Sequence, residues 1–521
     1  MRYFNVTGTC VKHRHYMADT SNKLDQMIKL IEQEHYFTIN RPRQYGKTTA
    51  LSLLCKRLEN DYTVLNISLE KVGQESFVDT QAFCGMFYRI VKRVLKRLKE
   101  DVLLERLELL KGIQTFDMFD DFLTDFLTDS PKEVILLIDE CDDSSNNDVF
   151  LKFLGVLRNK YLMRADDLDV AFKSVILAGV HDVKNLKYKV RAGDAERTNS
   201  PWNIAEHFNV NMSFNESEIR SLLEDYLSEH EHITMDVILM AKKIHYFTNG
   251  YPFLVSYLCK IIHEKFEGAD KWTVHNLEQA VNELLLIKTT NFDSLIRNIE
   301  NHKELMNLVH LILIGGEAIP FGNSAPAMEK GLMYGVLARS KDNKLIIHNA
   351  IYEMKIYSYL TEKMKTENFD LIKLQPSAKY VTDEGSLNMP LILEKYSEYL
   401  KELYDDHQSK FIENNARLLF SIFMKSIING VGFMYREAVI SDRRRLDVMI
   451  TYNQFKYIIE LKIWYGEAYY EEAKGQLVDY LKREQLEVGY MIIHDFRKKL
   501  HRRFSSETLE MNDKELKVYF V

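Results

Sequence analysis

Tyr36-Phe37-Thr38-Ile39-Asn40-Arg41-Pro42-Arg43-Gln44-Tyr45-Gly46-Lys47-Thr48-Thr49 is the stretch whose reading decides the architecture of the first part of the chain. Its opening residues form a short β-prone run, and Thr49 to Leu58 read as a helix, so Arg41–Thr48 is a tight strand-to-helix loop. A second strand follows at Val64-Leu65-Asn66-Ile67-Ser68-Leu69. Phe87, Ile90, Val91, Val94, Leu95 and Leu98 then recur at helical spacing, with Arg89, Lys92, Arg93, Lys96 and Arg97 on the opposite, solvated face. Val134-Ile135-Leu136-Leu137-Ile138 and Val175-Ile176-Leu177-Ala178 are unbroken apolar runs, as expected of strands buried on both faces of a parallel sheet. Strands alternating with helices up to about residue 215 predict a doubly wound α/β sheet.

The chemistry of the loop follows from its place at a helix N-terminus. There the N–H groups of Arg43, Gln44, Tyr45, Gly46, Lys47, Thr48 and Thr49 converge, and the helix dipole favours an anion. Lys47 is expected on the β/γ-phosphates of ATP and the Thr48 hydroxyl on Mg²⁺. Arg41 stands where a GxxxxGK[ST] pattern has its first glycine. Asp139 and Glu140 end the buried run at Ile138, so Asp139 is a candidate Mg²⁺ ligand and Glu140 a candidate to orient the attacking water. Arg158 and Arg191 are candidates for the arginine that speeds hydrolysis. His13 and His15 read as a surface pair ahead of a part in the pocket.

A second constellation lies near the C-terminus. Asp447 and Glu460 flank Asn453-Gln454 symmetrically, so a hairpin turning there sets them opposite each other, about 5 Å apart at Cβ. Lys462 shares the face of Glu460, while Ile459 and Leu461 point to the other. Two hard carboxylates and a lysine suit a Mg²⁺ or Mn²⁺ site for phosphodiester hydrolysis. Gln476 and Tyr480 lie at i, i+4 on one helix face. Gly475, just before Gln476 in this helix, reads as a close approach to the sheet or to a phosphate. Glu413, on an upstream helix, is the choice for a further metal ligand, with Glu437 its rival. Arg443-Arg444-Arg445 is weighed equally as a phosphate grip and a solvated turn. Arg497-Lys498-Lys499 with Arg502-Arg503 reads first as a solvated tail.

Taken together, Tyr36–Thr49, Ala178–Leu186 and Ser200–Ala205 resemble the bacterial AAA-ATPase-like family, whose members commonly carry a C-terminal PD-(D/E)XK nuclease-like domain. Asn249-Gly250-Tyr251-Pro252-Phe253-Leu254-Val255 is similar to the lid motif of STAND-type ATPases, which implies that Pro252 packs near the adenine. Asp447, Glu460, Lys462, Gln476 and Tyr480 resemble the RecB-like branch of the nuclease superfamily. The resemblance implies a multidomain α/β protein. Its parts would be a P-loop domain at 1–215, a helical lid at 216–290, a winged-helix-like unit at 291–365, a linker at 366–390 and a nuclease-like domain at 391–521. It implies an ATPase fused to a metal-dependent DNA nuclease, with nucleotide state gating cleavage and, by analogy, a role in defence against foreign DNA. The alternative is a non-cleaving STAND-type switch whose C-terminal domain only binds nucleic acid or protein.

Bulk properties agree with this. A length of 521 residues predicts two to four domains. A net charge of −7 argues against coating nucleic acid by bulk charge, so any DNA contact must come from local basic patches. The five cysteines form no CxxC pair, which predicts reduced thiols. With no signal-like N-terminus and no membrane-length apolar run, a cytoplasmic location without membrane contact is expected. Expected partners are ATP and DNA; a homo-oligomer is left open.

Overall fold

The alternation of apolar strands and amphipathic helices is realised in the computed structural model. It is described over residues 2–142, 147–180, 202–315, 318–322, 325–367, 379–405, 409–428, 432–435, 448–496 and 504–521. The chain divides into two compact units. One comprises Met1–His245, Gly250–Ala280 and Met333–Gly335; the other comprises Tyr246–Asn249, Val281–Leu332 and Val336–Val521.

The first unit is built on four parallel strands: β1 (Phe37–Asn40), β2 (Thr63–Ser68), β3 (Val134–Asp139) and β4 (Ser174–Gly179), in the order β1-β4-β3-β2. Every residue of β3 and β4 is buried, as their unbroken apolar runs require of strands covered on both faces. The helix Thr80–Leu98 starts where Asp79 accepts a hydrogen bond from the Ala82 amide, a side-chain cap for one of the free N–H groups of its first turn. Phe83 and Phe87 on its apolar face join Phe119, Phe150 and Phe153 in one aromatic core. Arg89, Arg93, Lys96 and Arg97 on the opposite face are exposed, and Lys92 pairs with Glu108 at 2.7 Å.

In this unit the helix Glu216–Leu227 carries a complete capping box. Asn215 Oδ1 accepts from the Glu218 amide at 2.9 Å, and Glu218 Oε2 accepts from the Asn215 amide at 2.8 Å. The turn Thr248–Pro252 separates two helices as its Asn-Gly and proline suggest, and Pro252 is the first residue of the helix Pro252–Lys265.

The second unit holds a small hairpin, β5 (Leu337–Arg339) with β6 (Leu345–Ile347), and a mixed six-stranded sheet. Its strands are β7 (Gly432–Tyr435), β8 (Val448–Tyr452), β9 (Phe455–Ile463), β10 (Val488–His494), β11 (Ser505–Met511) and β12 (Lys514–Phe520), in the order β11-β12-β10-β9-β8-β7. The chain runs helix Ser409–Ile428, then β7, β8 and β9 as an antiparallel meander. The helix Glu467–Glu484 then carries it to β10, parallel to β9. That helix packs Leu477, Val478 and Leu481 onto Ile458, Met491 and Ile493 on one face of the sheet. Of the segment expected to be a linker, residues 379–388 are held in this unit. The Leu387 amide donates to the Tyr457 hydroxyl at 2.7 Å, and Asn453 Nδ2 donates to the Gly385 carbonyl at 2.7 Å.

Candidate functional site

The loop after β1 is shaped by three local choices. The Arg41 amide continues the β1–β4 ladder by donating to Gly179 O at 3.1 Å, so the chain leaves the sheet only beyond it. Arg41 is not among the residues of positive φ, and its guanidinium is turned to the carbonyls of Asn40 (2.8 Å) and Val210 (2.9 Å) over the Phe208 ring. A position with ordinary φ and an outlet for its side chain has no need of glycine. The left-handed turns fall instead at Gln44 (φ 58°) and Gly46 (φ 80°), immediately before the helix Lys47–Leu58.

Lys47 is buried and curls back over the loop, donating to the carbonyls of Arg41 at 2.9 Å and Pro42 at 3.1 Å. Burial lowers its pKa, while Glu140, Asp142 and Asp139 act to raise it. Thr48 Oγ1 donates to Asp139 Oδ2 at 2.6 Å, across from the loop to the end of β3. Glu140 adopts φ 55°; burial raises its carboxyl pKa, with Lys47 acting in the opposite sense and Asp139 in the same sense. Asp142 accepts from the Val180 amide at 2.7 Å, in space that a Cβ on Gly179 would invade.

Arg43 to Thr49, Asp139, Glu140 and Pro252 line one cleft of about 820 Å³. Pro252 lies against the loop itself, 3.9 Å from where a Cβ on Gly46 would stand. Tyr251 fixes this approach by donating to Arg43 O at 2.6 Å, with its ring edge-on to Tyr45. Gly250 (φ 69°) is obligatory, because a Cβ there would sit 1.9 Å from Phe214 O. Arg158 donates to Asn203 Oδ1 at 3.2 Å and does not line the cleft; Arg191 lies outside the described residues. His13 is exposed, and His15 is buried with Nδ1 accepting from the Val11 amide. Neither lines the cleft, yet their neighbours Asn5–Cys10 and Tyr16–Ala18 do. Sequence reasoning missed that segment, which has no periodicity and whose approach to the loop is non-local.

In the second unit, β8 and β9 pair from Val448↔Ile459 to Tyr452↔Phe455, so the hairpin turns at Asn453-Gln454 as read. Asp447, Glu437 and Arg443–Arg445 lie outside the described residues, as do Arg497–Lys499 and Arg502–Arg503. Glu460 is fully buried, and Lys462 Nζ meets its Oε1 at 2.6 Å. These two lie on the same face as Ile458, under the helix Glu467–Glu484; Ile459 and Leu461 are buried on the other. Glu413 is on the helix Ser409–Ile428. Tyr480 packs into the core with Ile458 and Leu477, whereas Gln476 is half-buried and donates to Glu472 at 3.2 Å. The i, i+4 pair therefore splits between core and rim. A Cβ on Gly475 would meet nothing within 4 Å, so close packing does not demand that glycine. Tyr465 (72% exposed) and Tyr469 (39%) form an edge-on pair beside Lys462, a feature the sequence pattern did not single out.

The oxygens of Thr48 and Asp139, and separately of Glu460, are hard donors of the kind Mg²⁺ and Mn²⁺ take. Among the described residues no group of three or more His, Cys, Asp or Glu forms a metal cluster, and no helix is long and apolar enough to cross a membrane. All five cysteines are free.

A family model described as a domain of unknown function (DUF8371) matches residues 393–498. No curated protein matches the chain. Among solved structures, the chain is similar to a Walker-type ATPase of Pyrococcus abyssi at 13% identity and a TM-score of 0.46, covering 68% of this chain and 99% of that one. It is similar to the ORC1 protein of Aeropyrum pernix, in complex with DNA, at 11% identity and a TM-score of 0.30, covering 68% and 94%. The ADP form of the ORC2 protein of Aeropyrum pernix gives 12% identity and a TM-score of 0.33, covering 70% and 96%.

Proposed function

We propose that this chain is a cytoplasmic ATP-binding protein that hydrolyses ATP and carries a metal-dependent DNA nuclease in its C-terminal unit, with nucleotide state gating cleavage. The observation that carries the nucleotide half is the 2.6 Å hydrogen bond from Thr48 to Asp139. It brings a helix-N-terminal hydroxyl and a strand-end carboxylate together beside Lys47 in an open cleft. When bound there, Mg²⁺ would neutralise phosphate charge. Around it Lys47 would exchange its loop carbonyls for β/γ-phosphate oxygens, and Glu140 would hold the attacking water. The raised pKa of Glu140 suits a group that takes a proton.

The nuclease half draws support from topology and register. A helix holding Glu413 precedes the three-stranded meander, and a crossover helix holding Gln476 and Tyr480 follows it before a parallel strand. The hairpin register carries Glu460 and Lys462 on one face. A divalent ion held by Glu460, Asp447 and Glu413 would activate water, and Lys462 would steady the charge that develops on phosphate oxygens. A role in defence against foreign DNA rests on analogy with STAND-type switches.

One observation favours a second reading. The wholly buried Glu460 is already neutralised by Lys462, which suits a C-terminal unit that binds nucleic acid or protein without cutting. Purified protein with Mn²⁺ and linear duplex or single-stranded DNA separates the two. Cleavage abolished by Asp447→Ala supports the nuclease; no cleavage by the wild type leaves the switch. Cleavage indifferent to ATP and to Lys47→Ala would end the gating idea alone.

A further inference from the structure

We propose that the segment Arg2–Ala18 is a strap that holds the nucleoside end of a bound nucleotide, and that Arg2 is the positioning residue that fixes it. This rests on the nucleotide reading of the Lys47 cleft. Asn5–Cys10 and Tyr16–Ala18 line that cleft together with the loop, and so do the apolar side chains of Leu24, Met27, Phe214 and Phe253. Phosphates have no use for such a lining, whereas the flat face of a base does. The strap adds the polar side chains of Asn5 and Thr7 to it.

The strap is tied at both ends. Arg2 donates to both carboxylate oxygens of Asp225, at 2.9 and 2.8 Å, and to Glu229 Oε1 at 2.7 Å, while its guanidinium lies over the Tyr16 ring. The Met17 amide donates to Asp225 Oδ2 at 3.0 Å and the Asp19 amide to Ser221 Oγ at 2.8 Å, both on or beside the helix Glu216–Leu227. In between, the Cys10 amide donates to Thr49 Oγ1 at 3.1 Å, one residue beyond Thr48. Asn5 shapes the span by accepting from the Thr7 amide and donating to Gly8 O. The Arg2 side chain is only 14% exposed and its guanidinium serves two carboxylates, Asp225 through Nη1 and Glu229 through Nε, so this tie is stronger than an open surface contact. Without it the strap is loose at one end, and binding must then order it at the expense of affinity.

Inorganic tripolyphosphate separates this idea from a general effect on the loop, since it carries the phosphates and lacks the nucleoside. Calorimetric titration of ATP and of tripolyphosphate, each with Mg²⁺, is run on the full chain and on its Arg2→Ala and Arg2→Lys variants. Arg2→Ala is expected to weaken ATP about tenfold and to leave tripolyphosphate within about twofold, with Arg2→Lys between. Retained tripolyphosphate binding also reports that the loop is folded. Equal losses for both ligands, or no loss for ATP, overturn the proposal. Lys47→Ala in parallel should lose both ligands. If the wild type binds neither, the nucleotide reading itself fails and takes the strap with it.

Discussion

Lys47 and Lys462 are both shielded lysines beside a candidate metal site, and they are satisfied in opposite ways. Lys47 rests on two loop carbonyls, and among the described residues it makes no ion pair. Lys462 is clamped at 2.6 Å to a carboxylate that has no exposure at all. The first arrangement keeps a positive charge under desolvation until an anion arrives, which is what a phosphate site requires. The second already cancels its charges internally, so it contributes to the fold whether or not a ligand comes. Substitution should therefore separate them in sign as well as in size.

The largest effect is expected in the second unit. Lys462→Met strips the buried Glu460 carboxylate of its 2.6 Å ion pair, and should lower stability by about 3–5 kcal/mol. Lys462→Met combined with Glu460→Leu removes both charges and should recover most of that loss in urea unfolding. A double variant as unstable as the single one would mean that the pair is not what balances Glu460.

Lys47→Met should act in the reverse sense. Removing a desolvated ammonium whose hydrogen bonds go to neutral carbonyls, with burial outweighing the pull of Glu140, Asp142 and Asp139, leaves ligand-free stability unchanged or raises it by about 1 kcal/mol. The same change removes the charged hydrogen bonds to phosphate and should weaken ATP about 100-fold. Thermal unfolding with and without Mg-ATP reads both quantities. A Lys47→Met protein still stabilised by ATP as much as the wild type would break the contrast.

Titration sharpens the comparison further. In the second unit His348 and His494 are held neutral by burial, each with its pKa pushed down to about 4. An unfolded chain takes up those protons near the ordinary histidine pKa and the folded chain does not. Their contribution to stability is therefore complete above about pH 6.5 and is lost as pH falls towards about 4. The slope should be about 1 kcal/mol per histidine per pH unit inside that window. His494→Gln should flatten it in urea unfolding between pH 7 and pH 5.

The two regions also differ in how far the sequence discloses them. The loop from Ile39 to Thr49 is contiguous, so its strand, turn and helix follow from local pattern, and the apolar run ending at Asp139 locates its partner strand. The Asn453-Gln454 hairpin was legible for a similar reason: a two-residue turn fixes register, and register fixes faces. What was not legible is non-local. Nothing in residues 2–18 announces that they wall the cleft, because their ties run to Asp225, Glu229 and Thr49. The fit of Arg41 at the first-glycine position is not legible locally, because one outlet of its side chain, the Val210 carbonyl, is distant in sequence. Tyr480 and Gln476 share a helix stripe, yet the stripe's edge falls between them, and only packing against Ile458 decides which one is core.

The smallest effect tests whether the helix beside the cleft is merely a support. Glu218 serves two partners: its Oε2 accepts from the Asn215 amide at 2.8 Å and from Lys23 Nζ at 2.6 Å. Lys23 and Glu218 are both shielded, so this pair resembles Lys462–Glu460 more than Lys47, although Lys23 also lines the cleft. Asn215→Ala removes one cap acceptor while leaving the ion pair in place. It should cost about 1 kcal/mol of stability, as cap deletions do. ATP affinity should stay at the wild-type value, because Asn215 does not line the cleft. A fall in affinity with little change in stability would reverse that assignment. The capping box would then be setting the position of Lys23, and the first unit would hold two cleft lysines under opposite control, one free for phosphate and one committed to the helix.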